Sequence, residues 1–483
     1  MAWTTFVDRL DAAGERPAIA SAGRVWTAAE LRRAADTLAR GLLHAGVREG
    51  AVVAVSVENS FSLVAAVLAL WRVAATVALV PPGYGTKERA EIESGVRPEA
   101  WLMSASAVAS AGADLGAPHR IEHAPPLDVE LRLIPRATRA TSTAGALIKF
   151  SSGSTGMPKG ILLTGENVMA EADNVVGTLG LGPGDRILAP VSLSHSYGFD
   201  LGVLGALFSG AALHIAPPFV PRRFLGEAAA AGITHVLGVP PLYRALVHGG
   251  EAWPDLRCVR YFLSCTARLP ADVVIAFHDR FGQPICQHYG ASEVGAATTH
   301  DPARVLDHPE SVGRPMRGVD VRIVRSSGAP SAPGESGEVV VRSGAVARGY
   351  VMGAPKRSPF RDGAFHMGDV GWLNDGFLTI VGRLDNLINV GGLKVSPEEV
   401  VQVLERHPAV GEAAVSGAPT PSGEEVVYAA VTLLGPATEA ELLGFCRRHL
   451  AEHKVPRRVE LVDQLPRGPT GKIQLRPESG LPW

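Results

Sequence analysis

Residues Phe150–Gly160, FSSGSTGMPKG, crowd glycines, short hydroxyls and one lysine directly behind the apolar run Ala146-Leu147-Ile148. Such a loop can turn backbone N–H groups, the hydroxyls of Ser151, Ser152, Ser154 and Thr155, and the Lys159 ammonium toward one polyphosphate. Gly153 and Gly156 supply the backbone freedom. The order is not the Walker pattern, because Pro158 precedes Lys159 and Gly160 follows it. Read alone, the stretch is equally a flexible turn carrying a solvated lysine.

Three later segments give the loop a context. Gln287-His288-Tyr289-Gly290-Ala291-Ser292-Glu293 joins an aromatic-glycine pair to a hydroxyl and a carboxylate. Gly368-Asp369 is followed by Gly382-Arg383-Leu384-Asp385, and Pro469-Thr470-Gly471-Lys472 lies near the C-terminus. Together and in this order, the four segments resemble the adenylate-forming superfamily of acyl-CoA synthetases, adenylation domains and luciferases. The resemblance runs from about residue 25 to about residue 476.

It implies that a small carboxylic acid attacks ATP at the α-phosphate, pyrophosphate leaves, and a thiol then takes the acyl group from the acyl-adenylate. Catalysis of this kind is mostly positioning and charge stabilisation. By resemblance, residues 151–156 and Lys159 contact the leaving pyrophosphate. Tyr289-Gly290, preceded by His288, packs beside adenine. Ser292 stands where the family usually has Thr, near the α-phosphate. Glu293 matches the carboxylate that helps bind Mg²⁺, an ion that needs only one or two carboxylates plus phosphate oxygens. Asp369 matches the ribose-binding acid and Arg383 a second ribose contact. Lys472 matches the lysine that reaches the substrate carboxylate and the α-phosphate. Asp385 matches a hinge, about which the small domain rotates between the two half-reactions. Gly391-Gly392-Leu393-Lys394 would line a pantetheine tunnel, although two glycines before a helix also make an ordinary turn. Coenzyme A and the phosphopantetheine arm of an acyl carrier protein present the same thiol, so both acceptors stay open.

Pro190–Gly198 resembles the acyl- and aryl-CoA synthetase segment in which His sits three residues before Gly. His195 and Tyr197 would then border the acid pocket; a packed structural histidine is the other reading of His195. Phe199-Asp200 is superficially similar to the Phe-Asp of amino-acid adenylation domains, whose Asp holds the α-ammonium. Gly198 and Gly210 align with the synthetase pattern without a gap, so an amino-acid substrate is not expected. Ser264-Cys265-Thr266-Ala267 occupies the place of a Gly-rich run, and Cys265 and Thr266 are bulkier than glycine. Gly238 and Gly290 complete the expected lining. Arg268, where Pro is common, either attracts a second acidic group or stays solvated. These departures leave the acid unidentified.

The elements that must hold these residues follow from periodicity. Thr27-Ala28-Ala29-Glu30 is a capping box, and behind it Leu31, Ala35, Leu38 and Leu42 share one helical face. Val52–Val57 reads as a buried strand, Ser60–Trp71 as a helix and Val77–Val80 as a strand. Such alternation implies parallel sheets covered by helices, with ligands at the carboxyl ends of strands. Ser326–Ser336 reads as a loop between strands. Near the C-terminus, Ser396-Pro397-Glu398-Glu399 reads as a second capping box opening a helix to about Glu405. Ala413–Val415 and Val426–Leu433 read as strands, Thr438-Glu439-Ala440-Glu441 opens another helix, and Val459–Val462 is a short strand. The expected fold is α/β: a large N-terminal domain of stacked α/β sheets, residues 1–382, a hinge at 383–387, and a small mobile α+β domain, residues 388–483.

Bulk properties agree with an enzyme. The 483 residues exceed a single core, and the hydrophobic fraction of 46% with 19% charged residues is that of a globular chain. A net charge of −2 gives no support for nucleic-acid binding. Cys258, Cys265, Cys286 and Cys446 form no C-x-x-C pair, which reads as reduced core thiols in a cytoplasmic protein. The N-terminus lacks a signal-peptide core. The apolar stretch Phe61–Val80, interrupted by Arg72 and closed by Pro81-Pro82, reads as a buried helix and strand, not a membrane span.

Overall fold

A computed structural model of the chain describes residues 2–111, 118–119, 127–134, 145–152, 158–216, 221–248, 254–384, 386–390, 393–420 and 425–466. The chain divides into two compact units. The first comprises Met1–Val321, Val341–Phe365 and Gly376–Leu378; the second comprises Arg322–Val340, His366–Asp375 and Thr379–Trp483.

The first unit holds two large sheets. One has nine strands, and its middle runs Ile285–Ala291, Tyr261–Ser264, His235–Gly238, Arg186–Ala189, Ala212–Ile215, with parallel pairing throughout. The other has eight strands in the order Gly349–Met352, Pro158–Leu163, Leu147–Ser152, Thr76–Leu79, Val52–Ser56, Ala100–Met103, Glu130–Leu133, Pro118–His119. Helix Phe61–Arg72 is buried at every position from Phe61 to Trp71 and touches strands of both sheets. A helix apolar on all sides has to lie inside the layers. Its start is fixed by Ser60, whose side chain accepts from Leu63 N at 3.2 Å. Arg72 ends it at the surface, paired with Asp36 at 3.0 Å. Among the described residues no helix is long and apolar enough to cross a membrane. The capping box at Thr27 forms in both directions, with Thr27 N to Glu30 Oε2 at 2.8 Å and Glu30 N to Thr27 Oγ1 at 3.2 Å. Leu31, Ala35, Leu38 and Leu42 are fully buried behind it.

In the second unit, Val410–Pro419 pairs antiparallel with Glu425–Leu433, which pairs parallel with Arg458–Leu461. Val400, Val403 and Leu404 of helix Pro397–Glu405 and Leu442 and Cys446 of helix Glu439–His449 share one core with Val427, Ala429 and Val431. Thr438 forms a full capping box with Glu441. The second expected box, at Ser396, forms only by half. Ser396 accepts from Glu399 N at 3.3 Å, but the Glu399 carboxylate is held by Lys454 Nζ at 2.7 and 2.8 Å and does not reach back. The cysteines also correct one expectation: all four are free, but Cys258 is exposed, not a core thiol.

Candidate active site

The phosphate-loop residues stand on a hairpin. Strand Leu147–Ser152 pairs antiparallel with Pro158–Leu163, and Ser151 faces Lys159 across it. Ser151 and Ser152 therefore belong to the strand end, while Gly153, Ser154, Thr155 and Gly156 lie outside the described residues. The outer side of Pro158–Leu163 carries strand Gly349–Met352, with Tyr350 opposite Ile161. That close pairing requires Gly160, because a Cβ there would sit 2.8 Å from Met352 Cγ.

Ser292 and Glu293 occupy the turn between strands Ile285–Ala291 and Gly295–Thr299. Glu293 is buried, and its backbone oxygen accepts from Ala347 N at 2.7 Å. Its carboxylate Oε1 accepts from the Tyr350 hydroxyl at 2.9 Å, while Oε2 has no partner among the described residues. Burial, then the Glu293 charge, pushes the Tyr350 hydroxyl far above its ordinary value, so it stays a donor. One carboxylate oxygen fixed and one unpaired, in a buried setting beside the hairpin, fits a Mg²⁺ ion that takes its remaining ligands from phosphate and water. No cluster of three or more acidic, His or Cys ligands occurs among the described residues. Ser292 Oγ accepts from Ser196 Oγ at 2.7 Å, tying this turn to the segment Pro190–Gly198.

That segment enters a π-helix, Gly198–Leu204. Gly198 is obligatory, since a Cβ would overlap the Ser192 carbonyl oxygen. His195 is exposed and its carbonyl accepts from Phe199 N at 2.9 Å. Tyr197 is buried and stacks on His288, with ring centroids 5.8 Å apart and an interplanar angle of 28°. Burial depresses His288 to about 4, so the ring is neutral, and its Nδ1 has no partner among the described residues. The hydroxyls of Tyr197 and Tyr243 both donate to Leu263 O, at 3.2 and 2.6 Å. Tyr243 fills the space that Gly238 leaves bare. Gly238, Ser264 and Gln287 are neighbours across three parallel strands, and the buried Ser264 hydroxyl has no partner among the described residues.

Burial pushes the Cys265 thiol up to about 12, so it is a protonated wall residue. Thr266 adopts φ +76°, the left-handed region that a β-branched residue rarely enters. Thr266 and Ala267 are exposed and Arg268 is half-buried. Asp200 is no ammonium receptor for a substrate: Lys149 Nζ lies 2.6 and 2.7 Å from its two oxygens, and both side chains are buried.

In the second unit, Arg383 Nη1 donates to the buried Asp369 Oδ1 at 3.2 Å, so the two expected ribose contacts form one pair. Lys394 stands opposite Asn389 in the hairpin of Ile388–Val390 and Leu393–Val395. Asp385, Gly391, Gly392 and Lys472 lie outside the described residues.

Sequence reading missed Tyr350, Ser196, Glu171 and Lys149. The last carried a signal: a lysine between Ile148 and Phe150 in an apolar strand must find a buried partner.

This site and fold define an adenylate-forming enzyme. Residues 6–351 match the AMP-binding enzyme family and residues 399–472 its C-terminal domain. The chain belongs to the AMP-binding enzyme family. It is 33% identical to the 2-succinylbenzoate–CoA ligase of Geobacillus kaustophilus, over 96% of this chain and 94% of that one. Its fold superposes on the o-succinylbenzoate CoA synthetase of Bacillus subtilis, solved with an acyl-adenylate intermediate, with TM-score 0.84, 25% identity and coverage of 97% and 96%. The amide bond synthetase McbA of Marinactinospora thermotolerans is similar too, with TM-score 0.84, 29% identity and 98% of each chain covered.

Proposed function

We propose that this protein is an ATP-dependent acid–thiol ligase that forms an acyl-adenylate from a small carboxylic acid and passes the acyl group to coenzyme A. The carrying observation is the joining of hairpin, Glu293 turn and acid-pocket segment through Tyr350–Glu293 and Ser196–Ser292. CoA-ligase relatives, and the B. subtilis synthetase solved with ATP and a magnesium ion, support the same reading. In the first step a carboxylate oxygen attacks the α-phosphorus, the bond to the β-phosphate bridging oxygen breaks, and pyrophosphate leaves. In the second, the thiol sulfur bonds to the acyl carbon, the acyl–phosphate C–O bond breaks, AMP leaves and the thiol proton is released.

Ser151, Lys159 and the loop between them hold the leaving phosphates. Bound Mg²⁺ supplies charge neutralisation on the phosphates. Glu293 Oε2 would hold it, with Oε1 pinned by Tyr350. Ser292 hydrogen-bonds near the α-phosphate, and Asp369 with Arg383 takes the ribose hydroxyls. His195, Tyr197, Gly238, His288 and Ser264–Ala267 shape the acid pocket. Lys472 brings positive charge to the reacting oxygens, and rotation about Asp385 replaces it with the thiol channel at Gly391, Gly392 and Lys394.

Mass spectrometry of reactions with ATP, Mg²⁺ and a carboxylic-acid panel, each with and without coenzyme A, tests the reading. Acyl-adenylate converted to acyl-CoA is the expected result. An adenylate that persists with CoA but is consumed by a phosphopantetheinylated carrier protein would replace the acceptor. No pyrophosphate with any acid would leave only a nucleotide- or acyl-binding role.

A further inference from the structure

One buried charge cluster has no part in the chemistry above. Lys149 lies in the hairpin strand, two residues before Ser151, and is almost wholly inaccessible. Its ammonium is chelated by both oxygens of Asp200, at 2.6 and 2.7 Å, and Asp200 sits inside the π-helix that begins at Gly198. Glu171, on helix Gly165–Leu179, is buried beside this pair. Its Oε1 accepts from Ala296 N at 2.8 Å, in the strand that follows the Ser292–Glu293 turn. Gly295, at φ +71°, lies so close to the Glu171 carboxylate that no Cβ fits. Glu171 Oε2 has no partner among the described residues.

Three elements that carry the proposed site therefore converge on one dry point. A π-helix needs a reason to keep its extra residue in each turn, and such turns recur at functional sites. Here the Lys149–Asp200 contact supplies one. With Asp200 fixed, Ser196 and Tyr197 are presented to Ser292 and His288 at the start of the same π-helix. We propose that Lys149, Asp200 and Glu171 form a positioning joint that holds the phosphate hairpin, the acid-pocket segment and the Ser292–Glu293 turn in a single register. The inference rests on the adenylation reading of those three elements.

The joint has a defined charge state. The titratable groups facing Glu171 are Lys149 from the hairpin and Asp200 from the π-helix; the strand Gly295–Thr299 offers the Ala296 N–H. One ammonium cannot neutralise two buried carboxylates. The two-oxygen contact leaves the charge on Asp200, and Glu171 keeps its proton, pushed up to about 8 by burial and then by the Asp200 charge. A protonated Glu171 and a glutamine have the same shape and share one donor and one acceptor. Ionising Glu171 instead adds a second negative charge beside Asp200.

Two variants test the joint, with acid-dependent pyrophosphate release and thermal unfolding as readouts. Lys149→Met/Asp200→Leu replaces the buried pair by apolar groups, a change that folds tolerate. It should fold with a melting temperature close to wild type, yet adenylate roughly tenfold slower, in kcat and not in the KM for ATP, because misplaced groups act on the transition state. Glu171→Gln, the conservative variant, should hold its rate at neutral pH and lose a fall in rate that wild type shows around pH 8. A double variant that adenylates at the wild-type rate, or a Glu171→Gln enzyme that keeps the alkaline fall, overturns the proposal. Should wild type release no pyrophosphate with any acid, the adenylation reading fails and the unfolding arm decides alone. Folded Glu171 retains a proton that the unfolded chain loses above about pH 4. The contribution of Glu171 to stability then declines with rising pH up to about pH 8. Glu171→Gln should gain melting temperature over wild type across that window, and equal midpoints would overturn the joint.

Discussion

The Tyr350 hydroxyl donates to Glu293 Oε1 at 2.9 Å, and the strand that carries Tyr350 is hydrogen-bonded to the outer edge of the phosphate hairpin. The carboxylate that would meet the metal is thus oriented by the hairpin that would meet the phosphates. Tyr350→Phe removes one hydrogen bond to a charged group, a loss of about 2 kcal/mol. The expected outcome is a roughly thirtyfold higher Mg²⁺ requirement. Mg²⁺-dependent ATP binding measured by calorimetry checks it without turnover, and an unchanged Mg²⁺ dependence would remove Tyr350 from the site.

Thr266 at φ +76° stores strain in the left-handed region of backbone space. Thr266→Gly should stabilise the fold by about 1 kcal/mol, since relief of a left-handed β-branched residue exceeds the entropy cost of glycine. Chemical denaturation measures this. A destabilised variant would mean that the threonine side chain makes a contact worth more than its strain.

Gly198→Ala should do the reverse. The added methyl would meet the Ser192 carbonyl, which is backbone and cannot swing aside. A loss of about 3 kcal/mol is expected. A weakened response to the acid should accompany it, because the same turn carries His195 and Tyr197. Wild-type stability with normal acid affinity would contradict this account of the turn.

Acid sensitivity follows from buried neutral histidines. Burial holds His235, His288 and His300 each at about 4. The unfolded chain protonates its histidines near pH 6.5 while the native chain does not, so stability falls as pH drops through about 6.5 toward 4. His300→Gln should make this slope shallower by up to about 1.4 kcal/mol per pH unit. Melting curves between pH 4 and 7 give the slope, and a variant with the wild-type slope would show that His300 does not resist protonation.

Lys472→Ala should cripple adenylation while leaving thioester formation from supplied acyl-adenylate intact. Survival of adenylation would remove Lys472 from the first step.

Much of the fold was readable because its signals are local. The capping residues Thr27 and Thr438, the apolar face of Leu31, Ala35, Leu38 and Leu42, and the largely apolar helix after Ser60 each declare themselves within one window. The Ser396 box misled because the fate of Glu399 depended on Lys454, distant in sequence. The site was legible where short motifs hold several functional groups together, as at Ser292-Glu293. Tyr350 and Glu171 were not, since a tyrosine in an ordinary strand and a glutamate in an ordinary helix carry no local mark. Their contacts exist only after segments far apart in sequence have met, Gly349–Met352 with Pro158–Leu163 and Glu171 with Ala296.

Leu263 O receives two phenol hydroxyls, from Tyr197 and from Tyr243 in the helix Pro240–His248. A carbonyl has two lone pairs, and both are engaged. Losing the longer bond, from Tyr197, leaves the carbonyl still satisfied by Tyr243. Position 197 can therefore change its chemistry without orphaning this buried carbonyl. Were Tyr197 to border the acid, as proposed, substrate choice could shift at this position while Tyr243 keeps the Leu263 carbonyl paired.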